Sequence, residues 1–266
     1  MHVTHEKGYL ILAVNTDVDY VRCARLLSRS LKFWHPDSLV CLLTDQKIDN
    51  DNDFDIVKTL PYKNQATKDN PYANDWQCFF ASPFRETIKL EADMLIAGDI
   101  DHWWTLLRNK ELVISTGAVD YKNQPVVSTK YRRAFKANNL PDVYNAFTYW
   151  RLSVFSKDFF MEVKHIFSNW KTYTQKLKNM PPNPDTDLAY AIASTMLGVE
   201  HCVLPDTDYP HIVHMKSAIA QTPQEWYKSL TWEIDQGQVR VNGYTQSPLW
   251  HYHHKHLVKD FEPYYE

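Results

Sequence analysis

The chain has 266 residues and a mass of 31.3 kDa, enough for one large α/β domain with a core that needs no disulfide or metal staple. It is 44% hydrophobic and 23% charged, which excludes a mainly disordered or collagen-like chain, and 14% aromatic, a share that fills cores as readily as sugar pockets. A formal charge of -3 excludes a global basic field for nucleic acid or an anionic membrane, so such a partner would need a local patch.

The first predicted element is a buried strand over Tyr9–Val14, broken by Asn15, Thr16 and Asp17. A helix over Val18–Phe33 follows, stopped by Pro36, and then a second buried strand over Leu39–Leu43. Strand, helix, strand predicts a parallel βαβ unit with residues 15–17 at its carboxyl edge, where α/β proteins bind ligands. There is no glycine-rich phosphate loop, and six glycines in the whole chain leave little material for one.

Further on, the patterning predicts a short strand over Ile56–Leu60, a helix over Tyr72–Phe80, and a strand over Thr87–Leu90 that runs into Glu91, Ala92 and Asp93. A helix over Ile100–Leu107 and a strand over Leu112–Ser115 come next. The stretch from Asp120 to Asn139 is polar and basic, with Lys130, Arg132, Arg133 and Lys136 interleaved with Tyr131 and Phe135. A strand over Phe147–Phe155, a helix over Asp158–Lys178, a helix over Asp185–Leu197 stopped by Gly198, and β-like runs at Cys202–Leu204 and Ile212–Met215 follow. Asp235-Gln236-Gly237 predicts a hairpin between Thr231–Ile234 and Gln238–Val241. The tail PLWHYHHKH is rich in rings and histidine. No repeat or linker divides the chain, so residues 1–266 are expected to form a single domain. The four scattered cysteines, the lack of an apolar signal region and the lack of a long apolar run lead us to expect a cytoplasmic protein without a membrane span. Oligomeric state is not legible.

The segment that carries most chemistry is Ser82–Leu95, SPFRETIKLEADML, in which a strand delivers Glu91 and Asp93 to one point at its end. Two hard oxygen ligands there suit Mg²⁺ or Mn²⁺ with a substrate diphosphate, although acidic residues also end many strands that bind nothing. This phrase resembles that of the GT-A fold nucleotide-diphospho-sugar glycosyltransferases, in particular the glycogenin-like, retaining type, with Glu91 in place of the first aspartate of an Asp-x-Asp pair. The resemblance implies an α/β fold of GT-A type, a Rossmann-like central mixed sheet flanked by helices, and a UDP-sugar donor with a divalent metal.

The same resemblance extends along the chain. LILAVNTDVDY is similar to the family's nucleotide-binding loop, which makes Asn15, Thr16 and Tyr20 candidates for holding base and ribose. PDTDLAYA implies that Asp185 and Asp187 hold the donor sugar or orient the acceptor. IVHMK implies that His214 joins Glu91 and Asp93 in the metal shell. The glycine and Lys-Pro-Trp that follow the family's histidine are absent here, and so is the glycine replaced by Ala146 in LPDVYNAFTYW. Lys216, or His251, His253 and Lys255, therefore stand as candidates to close over the phosphates, with Arg85 and Lys89 as further cations near the strand.

For the acceptor, the basic aromatic stretch with Lys130, Tyr131, Arg132, Arg133 and Lys136 is read as a phosphate-gripping loop, or as a solvated one. A looser resemblance to glycosyltransferases of T-even-like tailed phages favours hydroxymethylated cytosine in DNA, modified in the host cytoplasm, as the acceptor. A glycan- or protein-directed transferase and a catalytically inactive GT-A binding module remain the alternatives.

Overall fold

The computed structural model describes residues 3–48, 51–126, 132–204 and 211–266. Strand β1 (His5–Ala13) is buried over most of its second half because it lies between β2 and β4 in the sheet interior. Helix α1 (Tyr20–Trp34) starts where the Asp19 carboxylate accepts the Arg22 N–H at 3.0 Å, and it buries Val21, Ala24, Leu27 and Leu31 at helical spacing. Then come β2 (Val40–Thr44), β3 (Ile56–Thr59), the short α2 (Gln77–Ala81) and β4 (Phe84–Glu91). After β4 the chain turns through Ala92 and Asp93 into β5 (Met94–Ile96), followed by α3 (His102–Leu107), β6 (Leu112–Ser115), β7 (Gly117–Val119) and α4 (Arg133–Ala137). Strand β8 (Tyr144–Arg151) leads to α5 (Val154–Ser168), α6 (Trp170–Lys176), α7 (Thr186–Leu197) and α8 (Val199–Cys202). The rest comprises β9 (His211–His214), α9 (Trp226–Ser229), β10 (Trp232–Asp235), β11 (Gln238–Val241), β12 (Tyr244–Thr245), β13 (Leu249–His251) and α10 (Val258–Phe261).

Six strands form the main sheet in the order β3-β2-β1-β4-β8-β6. Strands β3, β2, β1 and β4 run parallel, whereas β8 is antiparallel to both its neighbours, so the sheet is mixed. One core cluster packs α1 and the second sheet, β5-β13-β9-β7, against one face. The other cluster covers the opposite face with α2, α5 and α7. A close approach in the sheet requires glycine: a Cβ on Gly8 would meet the Phe84 ring at 2.3 Å.

Several element boundaries differ from the sequence expectation, each for a local reason. The strand expected to reach Phe155 ends at Arg151, because Ser153 accepts the Ser156 N–H at 3.1 Å and starts α5. The single helix expected to Lys178 breaks at Asn169, whose side-chain amide donates to the His165 carbonyl at 2.8 Å. Residues 199–202 coil as α8 instead of extending, leaving only Val203 bridged to Ile114. The helix expected from Tyr72 begins at Gln77, and the ring-rich tail supplies β13. The Asp-Gln-Gly hairpin forms, with Gln236 and Gly237 both at positive φ, 49° and 75°.

Candidate active site

The carboxyl ends of β1 and β4 open into a cavity of about 290 Å³. One acidic corner is the turn after β4, with Glu91 and Asp93. Strand β13 pairs antiparallel with β5, which sets His251 opposite Met94 and therefore beside Asp93. His251 Nε2 lies 2.9 Å from Asp93 Oδ2, and Lys255 Nζ donates to the same oxygen at 2.8 Å. Burial alone would raise the Asp93 pKa, but these two cations override it and hold Asp93 well below the usual carboxylate range. At Glu91 burial outweighs the opposing pull of His251 and Lys89, and the pKa is raised.

His253 has φ 67°, a left-handed conformation that non-glycine residues hold only when the surroundings impose it. Ligand atoms of Asp93, His251 and His253 all lie within 4.8 Å of one another. Burial, with Lys255 and His251 nearby, lowers the His253 pKa to about 3, so its imidazole is neutral and keeps a lone pair. His251 Nδ1 is buried without a hydrogen-bond partner, and at 3.7 Å Glu91 Oε2 is too far to supply one. One carboxylate and two imidazoles in reach, one of them with an orphaned nitrogen, fit a divalent metal, whose binding would displace the proton of His251.

The geometry groups Asp93 with His251 and His253, and the expected ligands Glu91 and His214 line the same cavity beside this cluster. Strands β9 and β13 are parallel neighbours in which His214 stands opposite His251, with ring centroids 4.5 Å apart. His214 Nδ1 accepts the Lys216 N–H at 3.2 Å, and burial lowers its pKa well below the ordinary imidazole value. It packs beside the cluster as a neutral ring.

A second group of polar residues makes the cavity floor. Lys89, 2% exposed on β4, donates to Asp75 Oδ1, while the Tyr190 hydroxyl on α7 donates to Asp75 Oδ2. Burial would lower the Lys89 pKa, yet Asp75 outweighs it and the pKa is raised. The Asn145 amide is satisfied when its nitrogen donates to Glu91 Oε1 (3.0 Å) and Asp187 Oδ1 (2.9 Å) and its oxygen accepts from Lys89 Nζ (3.3 Å). Asp187 also accepts the Asn145 N–H and an Arg132 N–H, both at 2.8 Å, which ties α7 to β8. Asp185 caps α7 by accepting the Leu188 N–H at 2.9 Å, and burial together with Asp187 raises its pKa.

Other expected site residues distribute unevenly. Thr16, Tyr20, Lys216, Asp185 and Asp187 line the cavity. Asn15 instead organises the start of α1, accepting the Val21 N–H at 3.0 Å and donating to Asp19 at 3.1 Å. Arg85 is a correction: it is exposed near the start of β4, about 20 Å of strand before Glu91, and pairs with Glu6 at 3.2 Å. Arg132 is another, because it is 1% exposed, pairs with Asp142 and Asp187, and stacks between Phe135 and Tyr144, so it cannot grip an external phosphate. Arg133 and Lys136 are exposed on α4, whereas Lys130 and Tyr131 lie outside the described residues. Asp75 and Tyr190 went unnoticed in the sequence. Tyr190 is three residues after Asp187 and so on the same side of α7, which was the one available signal.

No protein-family model and no curated protein matches the sequence. Among solved structures, galactosyltransferase LgtC with donor and acceptor sugar analogues aligns at a TM-score of 0.56 and 10% identity, over 97% of this chain and 95% of that one. An active-site variant of LgtC aligns at 0.54 and 10% identity over the same shares. The glycosyltransferase GlyE of Streptococcus pneumoniae TIGR4 gives 0.47 and 11% identity over 76% of this chain; the chain spans 46% of GlyE. The LgtC likeness shows a shared fold of GT-A type, with a central mixed sheet flanked by helices. No described helix is long and apolar enough to cross a membrane.

Proposed function

We propose that this protein is a glycosyltransferase that moves a sugar from a nucleotide-diphosphate sugar, UDP-linked by the resemblance, to an acceptor hydroxyl. The observation that carries this reading is the meeting of Asp93, His251 and His253 at the carboxyl edge of a GT-A type sheet, in a cavity also lined by Asp185, Lys216 and Lys255. When bound, a divalent ion would supply Lewis-acid neutralisation of the charge that grows on the leaving diphosphate. Two imidazoles among the donors favour Mn²⁺ over Mg²⁺.

The chain's own residues complete the chemistry. Lys255 and Lys216 offer ammonium groups to the diphosphate on the wall that carries the histidines. Thr16 and Tyr20, at the end of β1 and the start of α1, suit the base and ribose. Asp185, with its raised pKa, is suited to orient an acceptor hydroxyl or face the positive charge of the departing sugar. Asp187 has both carboxylate oxygens engaged and positions the start of α7.

For the acceptor, exposed Arg133 and Lys136 support a hydroxymethylated pyrimidine in DNA, although the inward Arg132 shortens the basic strip. Activity on DNA should fall steeply with added salt, and activity on a small neutral glycan should not. The central test is UDP release from a panel of UDP-sugars with Mn²⁺ and after chelation, together with mass spectrometry of nucleosides from treated hydroxymethylcytosine DNA. Wild type should release UDP with Mn²⁺, and Asp93→Asn should lose the activity. Equal, slow release by both would mean that the fold serves as a binding module.

A further inference from the structure

The cavity floor is built differently from the wall that faces it. An ammonium has three N–H donors, and Asp75 and the Asn145 oxygen take two of those on Lys89. Asp75 is itself fully engaged, with Lys89 on one oxygen and the Tyr190 hydroxyl on the other, so the three residues form a closed, uncharged unit. Lys89 Nζ also lies 5.5 Å from the centroid of the Tyr190 ring, which fixes its direction. Around this ammonium stand four cavity-lining carboxylates, Asp75, Glu91, Asp185 and Asp187, the last of them paired with Arg132. The other two lysines of the cavity, Lys216 and Lys255, belong to the wall after β9 and β13, and Lys255 is on Asp93.

This arrangement disfavours an anion at the floor. A phosphate or carboxylate there would find one ammonium already neutralised by Asp75, with further carboxylates around it, and like charges at such range cost several kcal/mol. Sugar hydroxyls suit it, because each both donates and accepts: carboxylate oxygens take their protons, and the remaining Lys89 N–H serves one of their oxygens. We infer that Lys89, held in place by Asp75 and Tyr190, forms with the Glu91 and Asp185 carboxylates a specificity subsite that reads the hydroxyls of an uncharged hexose or pentose and turns away a uronate. The inference rests on the nucleotide-sugar reading above and assigns Lys89 to the sugar, not to the diphosphate.

The experiment is calorimetric titration of the full chain, with Mn²⁺ at fixed ionic strength, by UDP and by two matched pairs: UDP-glucose with UDP-glucuronate, and UDP-galactose with UDP-galacturonate. At least one hexose should bind about tenfold or more tightly than its uronate, while UDP binds on its own. Asp75→Asn frees the Lys89 charge and should shrink or invert that ratio, with UDP affinity held within about twofold. Lys89→Met combined with Asp75→Asn removes both charges together, so no buried ion is stranded, and should weaken the hexose about tenfold without affecting UDP. Equal binding of hexose and uronate by wild type overturns the subsite even if no variant folds; so does a ratio that Asp75→Asn leaves unchanged. Failure of wild type to bind UDP overturns the donor reading itself, and the subsite with it.

Discussion

The floor of the cavity and its histidine wall contain similar residue types in opposite states of completion. On the floor, Lys89, Asp75, Tyr190, Asn145, Asp187 and Arg132 form a chain of hydrogen bonds that joins β4, β8 and α7. On the wall, His251 Nδ1 is buried without a partner, and His253 is held at positive φ. A satisfied network fixes shape, whereas orphaned donors and strained backbone mark where a ligand is to be met. The difference teaches that the floor should be read as scaffold and recognition, and the wall as the reactive side.

Substitutions can break or sharpen this contrast. The largest effect is expected from Arg132→Met, which strands Asp187 in the interior and should cost about 3–5 kcal/mol of stability in urea denaturation. A loss near zero would mean that the floor is not the rigid part. His253→Gly on the wall should behave in the reverse way: Mn²⁺ affinity falls about 10–100-fold by calorimetry, with stability kept or raised as the strain at φ 67° is relieved. If it destabilises as much as Arg132→Met, the contrast fails. Tyr190→Phe removes one donor to Asp75 and should cost about 1–2 kcal/mol in the same denaturation assay, leaving Mn²⁺ affinity unchanged.

The smallest effect lies outside both regions, at the tie between Arg22 on α1 and Glu262 near the C-terminus. The hydrogen bond from Arg22 holds the Glu262 pKa below its ordinary 4.5. The stability it contributes is therefore present above pH 4.5 and lost as pH falls through the lower folded value. For a partly exposed pair this is less than about 1 kcal/mol, and Glu262→Gln should remove that acid dependence from the melting profile.

Most of the layer architecture was legible because burial leaves a periodic trace. The apolar runs of β1 and β2, the stripe on α1 and the carboxylates that close β4 each depend on neighbours in sequence. The boundaries at Ser153 and Asn169 were not, since one side-chain hydrogen bond to the backbone overrode an apolar pattern that ran straight through. The basic stretch misled for a related reason: composition counts Arg132 as a surface cation, and only its contacts reveal an internal strut.

By itself the sequence determined the βαβ opening, the Asp-Gln-Gly hairpin and the acidic pair at the end of β4, because each is a local pattern of burial, turn chemistry or spacing. Tertiary structure alone decided which histidine meets Asp93. His251 is 158 residues away in the chain, and it arrives because β13 inserts between β5 and β9 in a register that sets it opposite Met94 on one side and His214 on the other. Tertiary structure likewise brought Asp75 under Lys89 and Tyr190 onto Asp75. Sheet register and the packing of α7 on β8 are set by the whole core, and no short window of sequence contains them.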